Sequence, residues 1–357
     1  NRLLMFVVAS TYKMNYNLHV LYQGSSGSGK SHTMKQIAKM MPSEDVIELT
    51  RVTDSSLYNY QGGEFMQKLI VFEDMDGLKE DALLAVREMM SAGKLSSSTS
   101  IKDKRGNSKG AIKEVEVSFA SLSATTKGEL YEDNMSRIIV LSVDESKEQV
   151  QRIIQYKNQI HKGNIDLAEQ KKTQLFVQQL IRNLKPYEVI NPYADLVQLP
   201  ENVHKPTRMH EILMGVIHQI TLLNQYQRRE KNGKLLVEKE DVKNGIKLMR
   251  NSILLKMDEL EGKIRKFYEA LKNIVEKRAK NENKNREEIR FTRFDIKDNF
   301  LLSKPQINRY LNELTQYEYL KRTGKIGRGN QYKISHWDNF KTLSETELEK
   351  MLERLEY

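Results

Sequence analysis

Apolar and polar positions change rhythm along this 357-residue chain, and each change marks a separate unit. Through residues 1–146, short apolar runs alternate with segments of helical period. Residues 19–23 (His-Val-Leu-Tyr-Gln) read as a strand running into a Gly/Ser-rich turn, and 31–41 as the helix behind it. Residues 45–50, 68–72, 115–123 and 137–143 read as further strands, and 82–90 as a helix. Strands separated by helices predict an α/β domain with a mainly parallel sheet. Residues 147–257 turn helical, with breaks at Asn191-Pro192, Pro200 and Lys205-Pro206. Val242, Ile246, Met249 and Ile253 recur there at helical spacing, so an all-helical subdomain is expected. In 258–335 the pattern gives a helix over 263–278, a polar loop at 281–285 and two shorter helical segments at 295–300 and 304–314. A glycine-punctuated hairpin comes next, over 321–334. Residues 336–357 read as an acidic amphipathic helix.

The turn after the first strand carries the most specific chemistry. Gly24-Ser-Ser-Gly-Ser-Gly-Lys30-Ser31 satisfies the pattern G-x-x-x-x-G-K-[ST] at every position. Such a loop curls its backbone N–H groups around phosphate, while the lysine neutralises the β and γ oxygens and the hydroxyl faces Mg²⁺. The helix behind the loop offers its N-terminus to the same anion. Gly24, Ser25, Ser26, Gly27, Ser28, Gly29, Lys30, Ser31 and His32 are therefore the expected nucleotide cradle, with ATP and Mg²⁺ as the cofactors. About 40 residues on, Leu69-Ile-Val-Phe ends in Glu73-Asp74. One carboxylate is expected to hold Mg²⁺ with Ser31, the other to polarise the attacking water. The order is Glu then Asp, the reverse of the usual pair, so the choice of base stays open, with Asp76 a third candidate. An inactive nucleotide binder is the bland alternative.

Charge narrows the partners. The net +10 is concentrated: residues 94–113 hold six basic residues and one acid, and 260–335 hold 19 basic and 10 acidic. The tail, 336–357, is acidic. Two basic segments on an otherwise nearly neutral chain point to localised contact with nucleic acid. With no cysteine there are no disulfides and none of the usual structural zinc sites, and seven scattered histidines argue against a His-built metal site. No apolar run reaches the roughly 20 residues that span a bilayer. The opening run, 3–9, is too short for a signal peptide, so a cytoplasmic protein with no membrane partner is expected.

The phosphate loop, the acidic strand and three motifs C-terminal to them resemble the AAA+ ATPases. Within these the likeness is to the minichromosome-maintenance (MCM) helicases, which bacterial mobile elements also encode, and it runs over about residues 1–335. Met135-Ser136-Arg137-Ile138 looks like the family's arginine-finger motif, which implies that Arg137 reaches the γ-phosphate held by an adjacent subunit. Thr125 stands where the family has the asparagine of sensor 1. Lys205-Pro-Thr-Arg208 resembles the segment carrying the sensor 2 arginine, making Arg208 the candidate. The resemblance implies a core over 1–146 with a pore hairpin at 95–117, a helical lid over 147–257, a winged helix over 258–335 and the tail at 336–357. On that hairpin Lys102, Lys104, Arg105 and Lys109 would grip the sugar–phosphate backbone without reading bases. Lys304 and Arg309 would lie on the recognition helix, and Lys325 and Arg328 on the wing.

The function so implied is an ATP-driven DNA helicase or translocase, working as a ring that is expected to be a hexamer, in replication. One rival is an ATP-switched AAA+ regulator, such as a transcription activator or helicase loader. A second is a DNA-binding scaffold with a decayed nucleotide site.

Overall fold

A computed structural model describes residues 1–53, 56–60, 63–102, 108–127, 138–200, 203, 205–257, 260, 262–300, 302–326, 329–337, 346 and 349–355. The chain divides into two compact units. The first is Asn1–Lys256 with Leu348–Tyr357, and the second is Met257–Glu347.

The first unit is built on a five-stranded parallel sheet in the order β2-β3-β6-β1-β7. Its strands are β1 (His19–Gln23), β2 (Val46–Leu49), β3 (Met66–Phe72), β6 (Ser118–Thr125) and β7 (Ile139–Ser142). β1 is parallel to a neighbour on each side and all five of its residues are buried. A parallel strand covered on both faces has no polar face to show, which is why the middle of β1, Val20 to Tyr22, reads as an unbroken apolar run. Helices α1 (Arg2–Ser10) and α2 (Lys30–Ala38) pack on one face of the sheet. On the other, Ala82, Ala85, Val86 and Met89 of α3 (Glu80–Ala92) join Leu21, Ile70, Phe72 and Phe119 of the sheet in one core. Their i, i+3, i+4, i+7 spacing puts all four on one helix face. α1 is not among the elements expected from the sequence, although Leu4, Met5, Val7 and Val8 bury one side of it.

Between α3 and β6 the chain forms an antiparallel ribbon of β4 (Lys94–Lys102) and β5 (Ser108–Glu116). Leu95 and Val115 pair across it and are buried in the same core as Phe72. Ser96, Ser98, Ile112, Lys113 and Glu114 are exposed, so the ribbon is anchored at its base.

Residues 147–257 carry α4 (Lys147–His161), α5 (Leu167–Arg182), α6 (Pro206–Leu223) and α7 (Lys239–Met257). The expectation of an all-helical segment is corrected by a small sheet, β8-β10-β9, of β8 (Glu188–Ile190), β9 (Glu230–Lys231) and β10 (Lys234–Leu236). Asn232 and Gly233 both take left-handed backbone angles between β9 and β10. That pair is the tight-turn chemistry of a two-residue hairpin, and it was present in the sequence. Beside it, Asp241 of α7 is fully buried and takes a two-pronged contact from Arg228, Nε to Oδ2 at 2.7 Å and Nη2 to Oδ1 at 2.6 Å. The Thr221 hydroxyl donates to the same carboxylate at 3.0 Å.

In the second unit α8 (Gly262–Glu282) is followed by β11 (Phe291–Thr292), α9 (Arg293–Ile296), α10 (Lys304–Gln316) and the hairpin β12 (Leu320–Ile326) with β13 (Gly329–Ile334). The three strands form a sheet in the order β11-β13-β12. Ile307, Tyr310, Leu311 and Leu314 of α10 bury against Phe267, Tyr268 and Leu271 of α8. α10 starts from a reciprocal cap in which the Ser303 N–H and hydroxyl both donate to the Gln306 side chain.

His19 supplies a pH test of the sheet. Its ring is buried, with Nδ1 3.0 Å from the Ser121 hydroxyl, and burial pushes it down from 6.5 to about 3. An unfolded chain therefore takes up a proton near pH 6.5 that the folded strand refuses until about pH 3. The His19 contribution is intact above pH 6.5 and is lost as pH falls through that window, by about 1.4 kcal/mol per unit. Urea midpoints at pH 7.5 and 5.5 should show this loss in the native chain and a smaller one in His19→Gln; equal slopes would exclude it.

Candidate functional site: a phosphate loop between two strand ends

The Gly24–Ser31 segment leaves the carboxyl end of β1 and enters α2. Gly29, at φ 87°, caps α2 in the left-handed region, where a side chain is strained. Gly24 is required by space: a Cβ there would lie 2.7 Å from both Ser28 Oγ and Val143 Cγ2. No side chain caps α2 and its first turn has no acid, so its leading N–H groups are left to an external anion. The Ser28 hydroxyl is buried inside the loop without a hydrogen-bond partner among the described residues. Lys30 is buried, and its Nζ donates to the carbonyls of Gly24 at 3.0 Å and Ser25 at 2.7 Å, folding the side chain back over the loop. Ser31 and His32 follow Lys30 in the first turn of α2, Ser31 half-buried and His32 exposed. From the β7–α4 connection, Glu145 Oε1 accepts the Ser25 N–H at 2.6 Å, an acid on the rim of the loop that no sequence pattern announced.

The acids expected opposite the loop sit at the end of β3. The sheet order leaves β6 alone between β1 and β3, so the ends of all three lie side by side. Glu73 is ion-paired to Lys35 of α2 at 2.8 Å, and this hydrogen bond raises the Lys35 ammonium above its usual range. Asp74 accepts the Asp76 N–H at 2.9 Å. Asp76 reaches across to β6: the Thr125 hydroxyl donates to Oδ1 at 2.5 Å, and the Thr126 N–H and hydroxyl each donate to Oδ2 at 2.6 Å. Burial works against its ionisation, but these bonds and the nearby Lys127 outweigh that and hold Asp76 below the usual carboxylate range. The single proton of the Thr125 hydroxyl is thus given to Asp76, and its oxygen accepts the Lys127 N–H at 3.1 Å.

Residues 1–185 match the model of the MTBMA_p00010 P-loop domain. The chain belongs to this P-loop family. A P-loop domain is a nucleotide-binding domain, and the five-stranded parallel sheet with its glycine-rich loop at the β1–α2 junction is the α/β form expected of one. No curated protein matches the chain.

The remaining candidates fall elsewhere in one or other of the two units, or outside the described residues. Arg208 is the third residue of α6, half-buried. Arg137, Lys104, Arg105 and Arg328 lie outside the described residues. Lys102 ends β4 and Lys109 lies near the start of β5, both placed by backbone, as is Lys325 in β12. Lys304 and Arg309 are on the exposed side of α10, with Arg309 Nε donating to Glu313 at 3.1 Å. No group of three or more metal-ligating side chains occurs among the described residues, and none of their helices is long and apolar enough to cross a membrane.

Proposed function

We propose that this P-loop protein is an ATP-driven DNA translocase of the AAA+ class, resembling the MCM helicases and acting as a ring. The observation that carries the reading is the β4–β5 ribbon. Its buried base shares a core with Phe72 and Met75, the residues flanking Glu73 and Asp74, and its second strand leads straight into β6. A change at the nucleotide is therefore felt at the foot of a ribbon whose end is lysine- and arginine-rich. Lys102, Lys104, Arg105 and Lys109 would hold a strand by its phosphates, as a motor indifferent to sequence requires. On this reading 258–335 is a winged helix that tethers DNA through Lys304, Arg309, Lys325 and Arg328, and 147–257 is the lid.

Within the site, Lys30 would leave its carbonyl contacts for the β and γ oxygens, and Arg208 would approach from the lid. Arg137 would act on a neighbouring subunit, which makes a hexameric ring the active form. The Ser31 hydroxyl with Glu73 and Asp74 is a hard-oxygen donor set that fits Mg²⁺, which takes one or two carboxylates and fills its other positions with phosphate and water. Bound there, the ion would neutralise charge on the transferring phosphoryl group. Lys35 fixes the orientation of Glu73 through their ion pair, while Asp74 keeps an oxygen for a water molecule.

The replacement Lys104→Ala with Arg105→Ala should leave ATP turnover within about twofold and remove unwinding of forked DNA, since on this reading it removes phosphate contacts to the strand and leaves the phosphate loop unchanged. Phosphate release and strand displacement, measured together with the mass of the assembly, check this. Unwinding at the native rate would defeat the ribbon as the DNA grip. Turnover without unwinding in the native chain would favour the ATP-switched regulator.

A further inference from the structure

We propose that Lys127 is the residue that reads the terminal phosphate of the bound nucleotide, with Asp76 and Thr125 as its positioning residues. This rests on the nucleotide-hydrolysing part of the function proposed above and is independent of DNA translocation.

The placement comes from four contacts at the ends of two adjacent strands. Gln23, the last residue of β1, pairs in register with Thr125, the last of β6. The N–H of Gly24, where the phosphate loop starts, donates to the Thr125 carbonyl at 3.2 Å. Two residues further on, Lys127 is held at both ends of its own backbone: its N–H donates to the Thr125 hydroxyl at 3.1 Å, and its carbonyl accepts from Gln23 Nε2 at 2.8 Å. Lys127 is thus tied directly to the strand that feeds the phosphate loop, and its side chain is exposed. The Thr125 hydroxyl is buried and its proton is committed to Asp76, so it has nothing left to donate to a phosphate oxygen. A three-donor ammonium two residues on supplies what that hydroxyl does not. The Asp76 carboxylate fixes both threonines that precede the lysine.

The test uses the full chain with ATP, ADP and the non-hydrolysable β,γ-imido analogue of ATP. Native protein should bind the analogue more tightly than ADP. Lys127→Ala, at an exposed position, should fold normally, keep its ADP affinity and lose about tenfold or more of that preference, as expected for a hydrogen bond between charged groups. Its kcat for ATP should fall about 10²-fold, the usual effect of removing one donor to transition-state charge. Lys127→Arg should restore part of both. Asp76→Asn should lower kcat without changing ADP affinity, and combined with Lys127→Ala should be no worse than Lys127→Ala alone, because a positioning residue acts only through the group it positions. Native affinity ratios in Lys127→Ala, equal losses of ADP and analogue binding, or additive losses in the double variant would each overturn the assignment. A native chain that hydrolyses ATP yet unwinds nothing would sink translocation and leave Lys127 standing. A native chain that binds neither nucleotide would sink both.

Discussion

Lys30→Ala should lower ATP turnover by about three orders of magnitude, the upper range for loss of one preorganised charge contact in a closed site. The size reflects what surrounds the side chain. Lys30 is buried, starts α2 immediately after the left-handed Gly29, and can place its ammonium only along the loop. Its Nζ already bridges two loop carbonyls, so the move to phosphate is a short exchange of oxygen partners. Nothing else replaces it: α2 carries no other lysine or arginine in its first turn, and Lys35, one turn further on, is committed to Glu73. Arginine would not restore activity, because a planar fork does not fit a cavity built for a compact ammonium. Phosphate release at saturating ATP measures the effect, and a variant retaining even a tenth of native turnover would show that the loop is not the catalytic cradle.

The largest expected effect on stability lies elsewhere in the same unit. Arg228→Ala should destabilise the chain by about 3–5 kcal/mol, because it leaves the carboxylate of Asp241 buried without its counter-charge. Asp241 is entirely shielded and Arg228 nearly so, so water cannot take over the lost contacts. The Thr221 hydroxyl and the Glu238 N–H remain as donors to Asp241, but neither carries charge. The damage should also reach the small sheet, since Arg228 stands just before β9 and Asp241 just inside α7. Replacing both partners by apolar residues of similar volume should recover much of the loss. Urea unfolding of the single and double variants decides it; a single variant within 1 kcal/mol of native would mean that the pair is solvated.

The parts of the molecule legible in sequence were those whose constraints are local. The phosphate loop could be read because glycine is forced at Gly24 by crowding and at Gly29 by backbone angle, and the spacing to Lys30 is fixed by the turn itself. β1 and β3 could be read because the parts covered on both faces, Val20 to Tyr22 and Leu69 to Phe72, are unbroken apolar runs. The buried face of α10 was legible from Ile307, Leu311 and Leu314 at helical spacing. The contacts that escaped depended on partners distant in the chain. The acid that holds Thr125 is 49 residues away, and the one on the Ser25 N–H is 120 residues away. No window along the sequence contains both halves of either contact. The small sheet escaped for another reason: strands of two and three residues are too short to display alternation, and only the Asn232-Gly233 turn betrayed them. α1 is short, and the residues it packs against all come later in the chain.

On the translocase reading proposed above, the ribbon of β4 and β5 would work mechanically as a lever with a fixed fulcrum. Its pivot is the buried Leu95–Val115 pair, and its ladder continues without a break to Lys102 opposite Ser108. Seven residue steps at about 3.3 Å each give an arm of about 23 Å. A tilt of about 5° at the pivot then carries the far end sideways by about 2 Å, while the residues at the pivot move by a small fraction of that. On that reading, leverage of this kind would let a nucleotide site held by Asp76, Gln23 and Glu145 drive a usable stroke without loosening any of the contacts that define it.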